Sequence, residues 1–495
     1  MSHYIPPKIT PDQQIEAIQN GISKTHTPKK IIIVGAGMAG LVAGSLLMAA
    51  GHHISIIEAN NRVGGRIYTI RSPFSKGLYL DAGAMRIPDI HHLSLEYIKK
   101  FKLPVNEFIN RTSMDIIYVN GRKIRLHEYE RNPGTLNFPV SMNEKGKSSE
   151  ELLLLAVQPI IDFINLNPKK NWYYVQKEFN KYSLGSFLNH YHYKYGTSFS
   201  SGAVDMIGVL LDLEAFMGMS FLEALRELII FQSTKKYYEI TGGNDLLPRA
   251  FLPQLKDQIF FNQRVEKIVQ DRNGVTIYSQ DQNTFKHTAF SGDLAIVTIP
   301  FSLLRFVKIE PYHFFSYYKH KAIRELNYMA STKIGLQFKS RFWEKAGLYG
   351  GKTITDLPIR FSYYPSNGIG SPGPAVVLAS YTWADEALTW EGYSNDERMK
   401  YALKNMEEIL GNQVYHQFQT GISYSWTENP YSCGAFTFFE SEQETELFPY
   451  MLKPEGRVHF AGEHTASNHG WVQGAIESGI RVAMEVNHLL PANKK

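Results

Sequence analysis

Two hydrophobic patterns alternate near the start of the chain. Residues 29–37, KKIIIVGAG, form a β-branched apolar run that ends in glycine, which is typical of a parallel strand buried on both faces. The alanine- and leucine-rich segment MAGLVAGSLLMAAGH follows and predicts a helix. A second apolar strand, HISIIEA, then ends at an acidic residue, Glu58. The pattern predicts a strand–helix–strand unit of an α/β fold.

Glycines occupy the junction between the first strand and the helix in the spacing G-x-G-x-x-G. Gly35 allows a tight turn, Gly37 lets a diphosphate approach the backbone, and Gly40 lets the helix pack closely on the strand. The helix N-terminus offers free N–H groups and a positive dipole end, and Glu58 can accept hydrogen bonds from ribose hydroxyls. The arrangement predicts a dinucleotide site.

The residues after Glu58 favour a flavin dinucleotide over a nicotinamide one. Residues 62–66, RVGGR, place a glycine pair between two arginines, which can bring a second loop against the same diphosphate. R-x-G-G-R is characteristic of flavoproteins and uncommon in NAD enzymes. An incidental basic turn is the alternative interpretation.

The remaining pattern indicates insertions into this sheet and a return to it at the end of the chain. Residues 148–235 have a helical pattern that opens with a capping box at Ser148 and Glu151. Residues 264–282 alternate about an Asn-Gly turn and predict a β-hairpin, and DLAIVTIP at 293–300 predicts another buried strand. Residues 457–486 predict a strand, a loop and a helix that starts near Gly470.

Composition limits the function classes. The 495 residues are 43% hydrophobic and 20% charged, as in soluble globular proteins of two or three domains. The net charge of +5 comes without a polybasic run, so we expect no nucleic-acid partner. Apolar runs such as LLLLAV are shorter than the roughly 20 residues of a membrane span, and the first residues lack the apolar core of a signal peptide. We therefore expect a cytoplasmic protein without a membrane partner.

Cysteine and histidine patterns give no basis for a metal site. Cys433 is the single cysteine, which excludes an intramolecular disulfide framework and suits a reducing compartment. The 17 histidines include no H-x-x-x-H pair in helical context, and no Ser-His-Asp arrangement stands out. We expect neither a metal centre nor a hydrolase.

The motifs taken together resemble the flavin amine oxidase superfamily, and most closely its bacterial-type L-amino acid oxidases. They extend from residue 31 to about 484 and read GAGMAGL, EANNRVGGR, DAGAMRIP, TGGNDLLP, STKIGLQF and HFAGEHTASNHGWVQGAIESG. The resemblance implies an α/β fold with a Rossmann-like FAD-binding domain, a mixed-sheet substrate-binding domain and an inserted helical domain. The corresponding segments are 28–72, 238–315 and 452–490 for FAD, 5–25, 73–125 and 320–445 for the substrate, and 126–237 for the helical domain.

The resemblance also implies an activity. An L-amino acid oxidase uses FAD and O₂ to convert an L-amino acid into a 2-oxo acid, ammonia and hydrogen peroxide, within amino acid catabolism. Four alternatives stay open: an amino acid monooxygenase that decarboxylates the bound imine to an amide; another flavin amine oxidase; a flavoprotein dehydrogenase or desaturase that hands electrons to a membrane or protein partner; and a non-catalytic dinucleotide sensor. A homodimer is possible, as relatives often are dimers.

The resemblance implies substrate-binding roles for four residues that match positions in the family's motifs. An isolated arginine is most often a surface residue or half of a structural ion pair. In DAGAMRIP, however, Arg86 matches an arginine that grips the substrate carboxylate at the flavin, and a bidentate pair would orient the substrate. Tyr381 matches a tyrosine whose hydroxyl helps this arginine hold the carboxylate. The alternative interpretation of Tyr381 is an aromatic residue packed on a core strand. The carbonyl of Gly470 would accept from the substrate amine, and Trp471 would form a pocket wall.

Lys333 is the predicted catalytic residue, and two interpretations compete for it. The resemblance implies that it points into the site and holds a water beside flavin N5. The alternation of STKIGLQF instead places it on a solvent face. The predicted FAD contacts are Gly35, Gly37, Met38, Ala39, Gly40, Glu58, Ala59, Arg66, Gly83, Ala84, Met85, Arg86, Val265, Glu463, Gly470, Trp471, Val472 and Ala475.

Two departures from the family pattern are informative. Monoamine oxidases link FAD through a cysteine in Y-S-G-G-C-Y, whereas residues 431–436 read YSCGAF, with Ala435 at the linking position. We therefore expect noncovalent FAD and treat Cys433 as a small buried hydrophobe. Venom oxidases have a histidine near the pocket mouth where the stretch SFLEALRE ends here in Glu227. Their substrate preference therefore does not transfer to this chain.

Overall fold

A five-stranded parallel sheet contains the first predicted strand as its middle strand. The structure is a computed structural model and describes residues 9–190 and 198–489. Residues 5–8, 191–197 and 490 of the predicted domain segments lie outside these ranges. The four apolar strands predicted from the sequence are confirmed in this sheet, whose order is Ile259–Phe260, His53–Ile57, Lys30–Val34, Leu294–Val297 and Val458–Phe460.

Both faces of the parallel sheet are covered, as its uninterrupted apolar pattern predicts. Ile33 packs into one core together with the helices Met38–Ala50 and Val472–Asn487. Its neighbour Ile32 belongs to a second core on the opposite face. The alternate residues of the strand therefore serve two separate cores.

A seven-stranded mixed sheet forms the second large layer. Its neighbours are antiparallel except for one parallel pair, Lys352–Thr355 with Ile116–Val119. The order across it is Phe418–Ser425, Ser331–Phe338, Ala375–Trp383, Phe361–Tyr363, Lys352–Thr355, Ile116–Val119 and Arg122–Arg125.

Smaller sheets connect these layers. The predicted hairpin about Asn273 and Gly274 is confirmed as the antiparallel pair Gln263–Gln270 and Val275–Asp281, to which His287–Gly292 and Lys308–Glu310 add. A three-stranded sheet has the order Ile87–Pro88, Tyr237–Ile240 and Val105–Phe108. Two further sheets have two strands each: Thr69–Ile70 pairs with Leu80–Asp81, and Asn327–Tyr328 pairs with Thr437–Phe438.

Helices dominate residues 126–233, in agreement with the helical pattern there. The predicted capping box is confirmed, because the Ser148 side chain accepts from the Glu151 N–H at the start of Ser149–Leu166. The α-helices of the described residues are Pro11–Asn20, Met38–Ala50, His92–Lys100, Leu126–Arg131, Ser149–Leu166, Pro168–Phe179, Leu184–His190, Ser201–Leu211, Phe221–Ser233, Leu246–Arg249, Leu252–Leu255, Phe301–Leu304, Tyr317–Glu325, Ala384–Thr389, Asn395–Leu410, Gln413–Gln417, Gln443–Leu452 and Val472–Asn487.

Two features of residues 9–190 and 198–489 bear on membrane and metal partners. None of the helices in these ranges combines the length and apolar character needed to cross a bilayer. The same ranges contain no group of three or more histidine, cysteine, aspartate and glutamate side chains arranged to hold a metal ion.

Candidate active site

An elongated cavity lies at the carboxyl edge of the parallel sheet. Gly35, Glu58, Thr298 and Gly462 line it, and each follows a strand by one or two residues. Parallel strands deliver their carboxyl ends to the same edge, where open α/β sheets bind ligands. The cavity continues from this edge to the mixed sheet.

The glycine loop has the geometry that its spacing predicts. Gly35 has a φ of 106°, which disfavours any side chain, and its N–H donates to the Ile57 carbonyl at 2.8 Å. A Cβ at Gly40 would lie 2.0 Å from the Gly35 carbonyl oxygen, so only glycine allows the helix to pack here. A Cβ at Gly37 would meet no atom of the described residues within 4 Å. Gly37 therefore leaves open space beside the backbone.

The helix that follows presents unused N–H groups to this space. Met38–Ala50 has no side-chain hydrogen bond at its N-cap, and Met38 and Ala39 line the cavity. The second glycine pair lies alongside, because the Gly64 N–H donates to the Ala36 carbonyl at 2.9 Å. Such a helix N-terminus favours an anion such as a diphosphate.

Glu58 lies buried at the opposite end of this loop. Its carboxylate accepts from the N–H groups of Ala36 at 2.7 Å and of Asn60 at 2.8 Å. Burial raises the pKa of Glu58, and these N–H groups oppose the rise. The uncapped helix, the open space at Gly37 and a carboxylate acceptor fit the diphosphate and ribose of a dinucleotide.

A partly buried ion pair fixes the start of the last helix. Arg66 contacts Glu463 at 2.7 Å, and the second carboxylate oxygen of Glu463 accepts from the Gly470 N–H at 3.1 Å. Trp471 is the N-cap residue of the helix Val472–Asn487, and its side chain makes no capping hydrogen bond to that helix. Gly470 and Trp471 line the cavity. This end of the cavity has a second helix N-terminus, which can stabilise negative charge on a bound ring system.

Lys333 points into the cavity, so the solvent-face interpretation is wrong. The strand Ser331–Phe338 is buried along its whole length, since Leu80 covers the face that carries Lys333 and Gly335. The Lys333 side chain is 1% exposed and donates to the carbonyls of Asp81 at 3.0 Å and Gly83 at 2.7 Å. Burial lowers its pKa, and nearby Asp81 opposes that effect.

Arg86 is a cation without an acidic partner at ion-pair distance in the part of the chain that the structure describes. One guanidinium nitrogen donates to Asn110 Oδ1 at 2.6 Å and to the Tyr363 hydroxyl at 3.2 Å. The rings of Phe231 and Tyr237 lie 5.9 and 5.5 Å from the guanidinium carbon. Neutral polar and aromatic neighbours hold the charge in place and leave its other donors for an anion.

Tyr381 lies next to these two cations. Its ring is 4.5 Å from Lys333 Nζ, and Arg86 interacts electrostatically with its hydroxyl. Burial raises the pKa of Tyr381, so the hydroxyl stays protonated and can donate. The structure thus brings Lys333, Arg86 and Tyr381 together from three separate parts of the sequence.

Most residues predicted for the site line the cavity. They are Gly35, Gly37, Met38, Ala39, Glu58, Ala59, Arg66, Gly83, Ala84, Val265, Lys333, Tyr381, Glu463, Gly470, Trp471, Val472 and Ala475. The predicted residues outside the wall are Gly40, Met85 and Arg86. Gly40 lies behind the turn, Met85 packs into a hydrophobic core, and Arg86 lies among the aromatic rings described above.

Sequence reasoning missed five aromatic residues of the wall, namely Phe306, Trp383, Trp426, Tyr431 and Phe436. Trp383 and Phe436 lie 5.3 Å apart between ring centroids, and Trp426 donates through Nε1 to the Ala82 carbonyl at 2.8 Å. Trp383 follows Tyr381 by two residues on one strand, so the two-residue period could have found it. Phe436 and Trp426 carry no comparable signal.

The segment 431–436 differs from its prediction in one respect. Ala435 lines the cavity at the expected linking position. Cys433, in contrast, is partly exposed, so its interpretation as a buried hydrophobe is wrong. Cys433 lies in a turn, where it has a φ of 48° and its N–H donates to the Asn429 carbonyl at 3.0 Å, and not in a buried strand or helix.

Comparisons with known proteins agree with this geometry. Residues 38–487 match the family described as flavin containing amine oxidoreductase. The chain is 61% identical over 478 residues to the Bacillus subtilis (strain 168) protein named "Putative L-amino-acid oxidase YobN", covering 97% of this chain and 98% of that protein. It is 38% identical over 477 residues to the L-amino-acid oxidase of Siganus canaliculatus, covering 96% and 88% of the two chains.

Solved structures share the fold at low sequence identity. A putrescine oxidase variant superimposes with a TM-score of 0.75 at 19% identity, over 93% of this chain and 98% of its own. Cyclohexylamine oxidase from Brevibacterium oxydans IH-35A gives 0.73 at 17% identity, over 93% and 99%. With the family match over residues 38–487, these findings show that the chain belongs to the flavin-containing amine oxidoreductases.

Proposed function

We propose that this protein is an FAD-dependent L-amino acid oxidase. The observation that carries the proposal is the guanidinium of Arg86 beside Tyr381 and Lys333, which has no acidic partner at ion-pair distance among the described residues. An amine substrate without a carboxylate gives no use to such a cation, whereas an α-amino acid supplies its missing partner. The names of the two most similar relatives described above support the same substrate class.

FAD would be held noncovalently by two helix N-termini and the residues between them. The N–H groups after Gly37 would hold the diphosphate, Glu58 would accept from the ribose, and the helix that begins at Trp471 and Val472 would stabilise the ring system. Ala435 has no atom that could form a covalent link. When bound, FAD supplies the chemistry of the reaction by accepting a hydride from the substrate and passing the electrons to O₂.

The chain itself positions the substrate. Arg86 and the Tyr381 hydroxyl hold the carboxylate, the Gly470 carbonyl accepts from the amine, and the Trp471 indole closes one side. Lys333 uses two of its donors on the carbonyls of Asp81 and Gly83, so its third hydrogen-bonding position is left to hold a water. These two bonds also fix the loop that leads to Arg86.

Anaerobic mixing with the twenty L-amino acids tests the function. One or more should bleach the flavin absorbance, whereas the matching D-amino acid and putrescine should not. In air, the same substrate should yield one ammonia and one hydrogen peroxide per 2-oxo acid. Release of carbon dioxide and an amide would support the monooxygenase instead, and a flavin that no L-amino acid bleaches would refute the proposal. A role in amino acid catabolism, the cytoplasmic location and a homodimer stay predictions.

A further inference from the structure

One face of the helix Phe221–Ser233 borders the proposed substrate position. Glu223, Glu227 and Phe231 follow each other at intervals of four residues and therefore share that face. Both carboxylate oxygens of Glu227 lie 3.0 Å from Nε1 of Trp471, and the Phe231 ring lies 6.2 Å from the Trp471 ring. Glu227 thus contacts the residue that closes the amino acid site.

The two carboxylates on this face differ in the partners that the protein supplies. Glu223 has a partner, since it accepts from His469 Nδ1 at 2.6 Å. Glu227 has no cation at ion-pair distance among the described residues, and the adjacent Arg226 pairs with Glu444 instead. The single indole N–H is its one hydrogen-bond donor in the described structure, although a carboxylate has about four acceptor positions.

The surroundings disfavour a charge on Glu227 while the site contains no cationic ligand. Burial raises the pKa of Glu227 to about 8, and neighbouring Glu223 adds to the rise. Arg86 is the cation that acts on it from the substrate side, but a substrate carboxylate would neutralise Arg86. His469 also acts electrostatically on Glu227, but it is already paired with Glu223.

We propose that Glu227 is a specificity-determining residue that selects L-amino acids with a cationic side chain, namely lysine, ornithine and arginine. The inference rests on the proposed oxidase function. With Arg86 holding the carboxylate and Trp471 fixing one side of Glu227, the substrate's ammonium or guanidinium occupies the free acceptor positions of Glu227. An apolar side chain there would leave a buried carboxyl group without its charged partner.

The comparison of L-lysine with L-norleucine isolates the side-chain charge, because norleucine has the same four-carbon chain without the amine. The wild-type kcat/KM should be about tenfold or more higher for lysine, as expected for a charged hydrogen bond. Glu227→Gln keeps an acceptor oxygen for Trp471 and removes the charge. It should reduce the lysine preference to about one by lowering kcat/KM for lysine relative to norleucine, while the flavin absorbance per protein stays as in the wild type.

Glu178→Gln is the matched control, since it removes one carboxylate from an exposed position of the helix Pro168–Phe179. It should keep the wild-type preference. A wild-type enzyme that prefers norleucine, or a Glu227→Gln variant that keeps the lysine preference, would overturn the inference and leave the oxidase function intact. If Glu227→Gln does not bind FAD, the wild-type comparison alone decides. A flavin that no L-amino acid reduces would refute the oxidase function itself.

Discussion

At the scale of single residues, Arg86 shows how neighbours decide the meaning of a charge. Its guanidinium contacts an amide oxygen, a phenol and aromatic rings, and these neutral groups position the charge without neutralising it. A structural arginine in a protein interior is normally paired with a carboxylate. The absence of an ion pair here, among the residues that the structure describes, is what makes a carboxylate ligand the best explanation.

Arg86→Ala should therefore damage catalysis without removing FAD. A half-desolvated substrate carboxylate without its partner costs about 3–5 kcal/mol, which is a loss of roughly 150- to 5,000-fold in kcat/KM. Steady-state kinetics on the best L-amino acid measures the loss, and the flavin absorbance per protein checks FAD content. Arg131→Ala, at an exposed position in the same chain, is the control. Unaltered kinetics in Arg86→Ala would return Arg86 to a structural role.

The same scale shows why some residues of the site were not predictable. Asn110 and Tyr363 reach Arg86 from segments 24 and 277 residues away in the sequence. Neither carries a motif, so only the folded chain identifies them. The pattern around Lys333 was ambiguous for a different reason, because a strand in the interior of a sheet alternates between two buried faces, not between core and solvent.

At the scale of elements, local physics made much of the fold predictable. The apolar runs that became the parallel strands, the capping box at Ser148 and the Asn-Gly hairpin depend on residues close together in sequence. The arrangement of the mixed sheet was not predictable in the same way. Its strands pair between residues 116 and 425, and no local pattern specifies which strands become neighbours.

The glycine loop allows an element-scale prediction, because two of its glycines serve different purposes. Gly40→Ala should destabilise the protein by roughly 1–3 kcal/mol or more, since its Cβ would collide with backbone that cannot move freely. Gly37→Ala should leave the apoprotein as stable as the wild type, because Gly37 has a φ of −73° and open space around it. It should instead weaken FAD binding by roughly tenfold or more, since the methyl group occupies the diphosphate position.

Thermal unfolding of the two apoproteins and titration with FAD separate these effects. The expected pattern is a lowered Tm for Gly40→Ala and a raised FAD Kd for Gly37→Ala. A Gly37→Ala variant that binds FAD with wild-type affinity would show that the diphosphate does not approach the backbone at this point. A fully stable Gly40→Ala variant would contradict the close packing of helix and strand.

At the scale of the whole molecule, the cavity joins parts of the chain that otherwise belong to separate cores. Its walls include Gly35 from the parallel sheet, Val265 from the hairpin sheet, Tyr381 from the mixed sheet and Trp471 from the last helix. A ligand that fills it contacts all of these at once. FAD should therefore act as a structural component of the protein as well as its redox group.

Because Ala435 leaves no covalent attachment point, FAD should be separable from the protein. Acid precipitation should leave the yellow colour in the supernatant, and a flavin that stays with the pellet would contradict noncovalent binding.

Apoprotein prepared under milder conditions should unfold at a lower temperature than the holoprotein. Binding to the folded state alone contributes RT ln(1 + [FAD]/Kd), which is about 2.7 kcal/mol when free FAD is a hundred times its Kd. Differential scanning calorimetry at increasing FAD concentration should show the Tm rise with the logarithm of that concentration. A Tm independent of FAD concentration would contradict FAD binding in the cavity between the parallel sheet and the mixed sheet.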